Sequence, residues 1–181
     1  ELAQVLEFVA EDGSFPVYTI DQLNVLDFNE YGTAMLEDGI FARADWLAEE
    51  GNEEVAIKFL RASFRGWMHC RDNPDECVDY VLAAGPTLGV GHQAWMMNEV
   101  NKLVWPSENG IGLMDPEAFD ITAQIALDYG IISSATEGEG VAYRSDLAQA
   151  ALDSLQADMP DLDVVGADYV APEVEITPNG E

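Results

Sequence analysis

Cys70 and Cys77, with His69 beside the first of them, are the residues whose types could support redox or metal chemistry in this chain. Their spacing fits a helix end, a turn and the start of the next helix, a path that can bring two Cβ atoms within disulfide reach. An exported protein would permit that bond. The alternative is a pair of buried free thiols. A metal site would need two further ligands beyond the cysteines, and His69 and His92 are the chain's whole histidine complement, so neither a metal nor a cofactor is expected. Glu37 and Asp38 form a carboxylate pair, but neighbours on a strand point to opposite faces and make a poor acid/base couple. The run Gly85-Pro86-Thr87-Leu88-Gly89-Val90-Gly91 lacks the lysine and the leading strand of a phosphate loop, and reads as a helix connection. No Gly-x-Ser-x-Gly elbow is present, and neither histidine sits in a metal-binding helix pair. These absences favour a protein that binds rather than one that catalyses.

The elements that position these residues are mostly helical after a mixed first quarter. Leu2, Val5, Leu6 and Val9 fall at helical spacing, closed by Gly13 and Pro16. Val17-Tyr18 and Leu23–Phe28 are short apolar runs of strand type, and a further strand is predicted around Gly39–Ala42. Asp45 is a candidate N-cap before Trp46-Leu47. The strongest helix is predicted over Glu53–Cys70, with Val55, Phe59, Ser63 and Trp67 in one row and Ala56 and Leu60 in the next, facing the core. Asn73-Pro74 and Asp115-Pro116 are cap-then-proline starts, Gly85-Pro86 and Trp105-Pro106 are stops, and Ser145 with Asp146 opens a last helix to Leu155. Trp67, Trp95 and Trp105 fit packing positions on helices, and Met96-Met97 reads as core filling. From Asp158 the chain is acidic, carries Pro160, Pro172 and Pro178, and has no sustained period, which predicts a loosely packed tail.

Thirty-five acidic residues against 7 basic ones give a net charge of −28 over 181 residues, which argues against nucleic-acid binding because such a surface repels phosphate backbones. Four of the cations, Lys58, Arg61, Arg65 and Arg71, crowd into the long helix, so the rest of the chain is almost purely acidic. A solvated, solubilising surface is the plainer account of this charge, and a salt-adapted setting suits it too. With 48% apolar residues the chain can bury a sizeable core. No uninterrupted apolar run approaches the roughly 18 residues of a membrane span.

Several blocks, in order, resemble the carboxyl-terminal half of ABC-importer solute-binding proteins of the thiamine-pyrimidine and nitrate/sulfonate/taurine type. They are Glu1-Leu2-Ala3-Gln4, Gly32–Phe41, Val55–Trp67 with Phe59-Leu60-Arg61-Ala62-Ser63 inside it, and Asp72–Leu82. His92-Gln93-Ala94-Trp95, Asn98–Leu103 and Leu127–Ile132 continue the likeness. The resemblance implies an α/β fold, part of a type II periplasmic-binding-protein architecture of two lobes. On that division residues 1–30 end the second lobe and return through the hinge, 31–157 form the carboxyl-terminal part of the first lobe, and 158–181 are the acidic tail.

By the same resemblance, the chain would capture a small nitrogenous solute, a thiamine-precursor pyrimidine or a nitrate-, sulfonate- or taurine-like molecule, in an inter-lobe cleft, with no catalysis. Its partners would be that solute and the ABC transporter's permease subunits. It would be periplasmic or extracellular, meeting the membrane through the transporter or a lipid anchor carried upstream. An isolated half would bind negligibly. Residues near the hinge crossings become the ligand candidates: Glu1, Asn29, Glu30, Tyr31, Glu37 and Asp38. A carboxylate there would suit pyrimidine amino or ring nitrogens and repel nitrate or sulfonate. Their plainer roles are turn stabilisation for Asn29 and Asp38, packing for Tyr31 and solvation for Glu30 and Glu37. Two other readings stand beside this one: a pyrimidine-precursor synthase of the same superfamily, and a non-catalytic acidic helical interaction domain.

Overall fold

The structure is a computed structural model that describes residues 1–181. It is built from seven α-helices: α1 Leu2–Leu6, α2 Ala44–Leu47, α3 Asn52–Asp72, α4 Pro74–Ala84, α5 Val90–Val104, α6 Pro116–Asp128 and α7 Ser145–Asp158. Short 3-10 turns cover Ile20–Gln22, Phe28–Tyr31 and Pro178–Gly180. There is no sheet, and the one β pairing is an isolated bridge between Glu139 and Tyr143. The expectation of an α/β, two-lobe binding-protein fold is therefore overturned. That expectation came from the resemblance; the short apolar runs read as strands beside it find no neighbouring strand to satisfy their backbone groups. Val17-Tyr18, Leu23–Phe28 and Gly39–Ala42 instead run through irregular chain and 3-10 turns, with Phe28 and Phe41 exposed.

The chain divides into two compact units assembled from interleaved segments. The first gathers residues 1–25, 66–108 and 163–181, and the second residues 26–65 and 109–162. Helix α3 contributes its first part to the second unit and its last part, from Gly66, to the first.

In the first unit α4 packs on α5, and α1 and the turn Pro178–Gly180 both pack on α5 and on each other. Its core contains Ala3, Met68, Cys77, Val78, Trp105 and Val164. Cys70 and Cys77 are joined by a disulfide, their Cα atoms 5.5 Å apart, which pins the end of α3 to the first turns of α4. Asn73 stands at the N-cap of α4 with Pro74 at the first helical position, where a missing N–H costs nothing. Its side chain does not cap α4 but reaches back to the His69 carbonyl at 3.0 Å, so it closes α3 instead.

The last residues of the chain are docked rather than loose. Asn179 N donates to the Glu7 carbonyl at 2.8 Å, and Gly180 is buried. The approach is so close that a Cβ on Gly89 would lie 2.2 Å from the Gly180 carbonyl oxygen, and one on Gly91 would lie 1.9 Å from Thr177 Oγ1. The glycines of the 85–91 connection therefore serve backbone contact, not phosphate binding.

In the second unit α7 supplies the core with Leu147, Ala148, Ala151, Leu152 and Leu155, and Phe64 of α3 joins them in burial. Arg61 donates to Ser154 Oγ at 2.6 Å and pairs with Asp158 at 2.5 Å, and Arg144 pairs with Glu53 at 2.8 Å. Gly112, at φ +83°, packs where a Cβ would meet the Phe64 ring at 2.2 Å. Asp115 caps α6 as its sequence position predicts, accepting from Glu117 N at 2.9 Å and Ala118 N at 3.2 Å. The inward row of α3 differs from the predicted one. Phe64 and Met68 are 3% and 1% exposed, whereas Val55, Phe59 and Trp67 face solvent. Both sets recur at helical spacing, so periodicity alone cannot choose between them.

Candidate functional site

The strongest candidate site lies within the first unit, and α5 provides its floor. Asn98 and Asn101, three residues apart and hence on one helix face, are 5% and 1% exposed. The Oδ1 atom of each is buried without a hydrogen-bond partner. An unpaired buried acceptor costs about 1–3 kcal/mol, so such groups are uncommon unless something else uses them. Both residues line a cavity of about 530 Å³. That volume falls within the roughly 300–1,000 Å³ range of small-molecule sites.

Arg71 forms another wall, and its charge is already spent. Nε and Nη2 donate to the two carboxylate oxygens of Asp72 at 2.7 and 3.1 Å, and Nη1 donates to the Asp163 carbonyl at 2.9 Å. Nη1 also lies 3.4 Å from Asp163 Oδ2, and the guanidinium stacks 4.6 Å from the Trp105 ring centroid. The hydrogen bond to Asp72 holds the Arg71 pKa above its ordinary value, outweighing desolvation. Asp163 is fixed in turn, its Oδ1 accepting from Val165 N at 3.0 Å and Gly166 N at 2.8 Å. The Ser107 amide donates to the Val165 carbonyl at 2.8 Å, which moors this segment to the chain just after α5.

Asp75 and Asp168 complete the polar lining; both are exposed, and neither makes a hydrogen bond or ion pair with another side chain. Val78, Met97, Pro172 and Val174 give apolar walls. Tyr169 also lines the cavity, and burial raises its hydroxyl pKa. The lining therefore carries four aspartates against one arginine, with two amide oxygens beneath. Chemically it offers acceptors and negative charge, and no nucleophile with a base beside it. A second, more open cavity of about 680 Å³ shares Asn98, Pro172 and Val174 with the first and adds Trp95, Glu99 and Lys102.

The chain matches no family model, no curated protein and no solved structure.

The residues picked out from the sequence lie elsewhere. Glu1 is the exposed N-cap of α1 in the first unit. Asn29, Glu30 and Tyr31 share the 3-10 turn of the second unit, where the Asn29 backbone and side-chain nitrogens both donate to Asp27 Oδ1 at 2.9 and 2.8 Å. Glu37 and Asp38 are exposed in the irregular chain that follows that turn. None of the six lines either cavity. Sequence reading passes over Arg71, Asn98, Asn101 and Asp168. A signal for the two asparagines exists: an i, i+3 amide pair on a stripe that also carries Ala94 and Met97. Nothing local marks Arg71 or Asp168, whose roles depend on residues about 90 positions away in the chain.

Proposed function

We propose that the chain is a solute-capturing component of an ABC importer, binding a small nitrogenous molecule and catalysing nothing. The ordered blocks of sequence that resemble such proteins support the importer part of this reading. The observation that carries the capture part is a cavity of ligand size whose lining includes Asn98, Asn101 and four aspartates, side chains rich in hydrogen-bond acceptors. Amide oxygens accept hydrogen bonds, and amino or ring N–H groups are the donors that match them. Capture then occurs inside the first unit rather than in a cleft between two α/β lobes. On this reading the chain alone binds its solute, where the inter-lobe cleft would have had it bind negligibly.

The reading also chooses among the solutes left open by the sequence. Nitrate, sulfonates and the sulfonate end of taurine bring negative charge to a lining already dominated by aspartates, so aminopyrimidines fit better. Differential scanning fluorimetry of the whole chain against 4-aminopyrimidine, nitrate and taurine tests this. A saturable rise in melting temperature is expected with the aminopyrimidine, as for any ligand that binds the folded state alone. Its loss in Asn101→Leu, at unchanged secondary structure, would tie the effect to the cavity. No rise with any of the three compounds would overturn the proposal.

A further inference from the structure

An asparagine followed by glycine can lose its side-chain amide without any enzyme, because glycine has no Cβ to shield its backbone nitrogen from the neighbouring side-chain carbonyl carbon. The chain contains two such pairs, Asn109-Gly110 and Asn179-Gly180. Both asparagines are exposed, but the backbone around them differs. Asn179 is locked. Its own N–H donates to the Glu7 carbonyl at 2.8 Å, and the Gly180 N–H, whose nitrogen is the nucleophile in any ring closure, donates to the Thr177 carbonyl at 3.0 Å. With ψ at 16°, the Gly180 nitrogen nearly eclipses the backbone nitrogen of Asn179 and stands well away from Cβ, whereas closure needs it to eclipse Cβ. Asn109 has no such restraint. It lies in the connection between α5 and α6, after the bond from Ser107 N to the Val165 carbonyl at 2.8 Å and before the bond from Leu113 N to the Gly110 carbonyl at 3.3 Å. Between them, no backbone N–H from Glu108 to Gly112 donates to another backbone group, and segments held by so few bonds open locally at small cost.

We infer that Asn109 is a site of spontaneous deamidation and that Asn179 is protected from it. The Gly110 nitrogen attacks Cγ of Asn109, a new C–N bond replaces the side-chain one, and the displaced nitrogen leaves as ammonia with the proton that Gly110 gives up. Water then opens the five-membered imide. Opening at Cγ yields aspartate, and opening at the main-chain carbonyl yields isoaspartate, in which the chain runs through Cβ and Cγ. The ring closes within the chain, so the burial of Gly110 does not bar it. Either product adds a negative charge beside Glu108. Isoaspartate also lengthens the backbone just before buried Ile111 and the Gly112 that packs on Phe64.

Peptide mapping by mass spectrometry tests the inference on the whole chain, incubated at neutral pH both folded and in guanidinium chloride. In denaturant both peptides should gain the mass of amide-to-acid exchange at similar rates. In the folded chain Asn109 is expected to keep converting while Asn179 lags by more than about tenfold, equivalent to about 1.4 kcal/mol of local opening. The Asn109 rate should rise from pH 6 to pH 8, because the Gly110 amide must give up its proton, and the product should be a mixture of aspartate and isoaspartate separable by chromatography. Asn109→Gln, whose longer side chain would have to close a less favoured six-membered ring, should leave that peptide unconverted. Equal rates at the two sites in the folded chain, or a silent Asn109 where the denatured chain converts, would overturn the inference. Aspartate without isoaspartate would mean direct hydrolysis rather than ring closure and would overturn it as well.

Discussion

Arg71 shows how a single side chain can organise a site without serving it directly. Its side chain is 6% exposed, yet it satisfies two carboxylates, a backbone carbonyl and an aromatic face. Removing it takes away the hydrogen bonds to Asp72, Asp163 and the Asp163 carbonyl and the stacking on Trp105; because both carboxylates are about half exposed and rehydrate, the cost is about 1–3 kcal/mol. Arg71→Met is therefore expected to lower the urea midpoint with little change in slope, read by circular dichroism. Lysine should not rescue it, because the bidentate fork and the stacking both need a planar guanidinium. At Gly112 the expected cost is about 2–3 kcal/mol for Gly112→Ala, which combines a disfavoured positive φ with overpacking against Phe64. Thermal denaturation measures it, and a neutral result would mean that the Phe64 ring can move aside. Neither residue stands out as an individual in the sequence. Arg71 reads as one cation among four on a helix, and Gly112 as one turn glycine among many, because Asp163 and Trp105 in the first case and Phe64 in the second come from distant segments.

Helices and their ends are the legible part of the chain. Asp115-Pro116, Asn73-Pro74 and Gly85 mark boundaries where the structure has them, since capping and proline geometry are local effects that travel with the residue. The inward face of α3 is not legible, because two apolar rows compete and packing partners far along the chain decide between them. The strand-type runs fail for a related reason: a strand is defined by its neighbour, and no local pattern supplies one. At this scale the disulfide between α3 and α4 makes a measurable contribution. It closes a short loop, seven positions in sequence, for which chain-entropy arguments give about 2–3 kcal/mol. Cys70→Ala together with Cys77→Ala, or reduction of the native chain, should lower the melting temperature accordingly; equal melting with and without reductant would show that the packing of α4 on α5 suffices alone.

The whole molecule is governed by its charge of −28. Ion pairs recruit every lysine and arginine except Arg65, and Arg43, Lys58, Lys102 and Arg144 pair with carboxylates near them in sequence or across the second unit. The remaining carboxylates repel one another, and salt weakens that repulsion by shortening its range to about 3 Å at 1 M. Melting temperature is expected to rise with sodium chloride from low to molar concentration, and a flat profile would show that self-repulsion does not limit stability. The response to acid has a definite sign for the paired carboxylates. Arg144 lowers the pKa of Asp146, and the Tyr80 hydroxyl, followed by His69, lowers that of Glu76. Groups depressed in the folded state stabilise it above their unfolded values, near 3.8 and 4.5, and that contribution disappears as pH falls through the lowered folded values. Protonation of the unpaired carboxylates relieves repulsion in both proteins, so the readout is the difference: the urea midpoint of the native chain should exceed that of Arg144→Gln at pH 6, and the gap should narrow towards pH 3.

The docking of residues 177–181 against α1 and α5 couples segments that stand about 170 positions apart in the chain. Glu7 holds His92 through a 2.9 Å contact and receives the Asn179 amide on its carbonyl, while Gly180 lies flat on the His92 side chain. A change in this stretch would therefore be felt in α1, where a helix of five residues has little else to keep it wound. Gly180→Val, which would push a side chain against His92 and Glu7, is thus expected to loosen α1 as well as the tail segment.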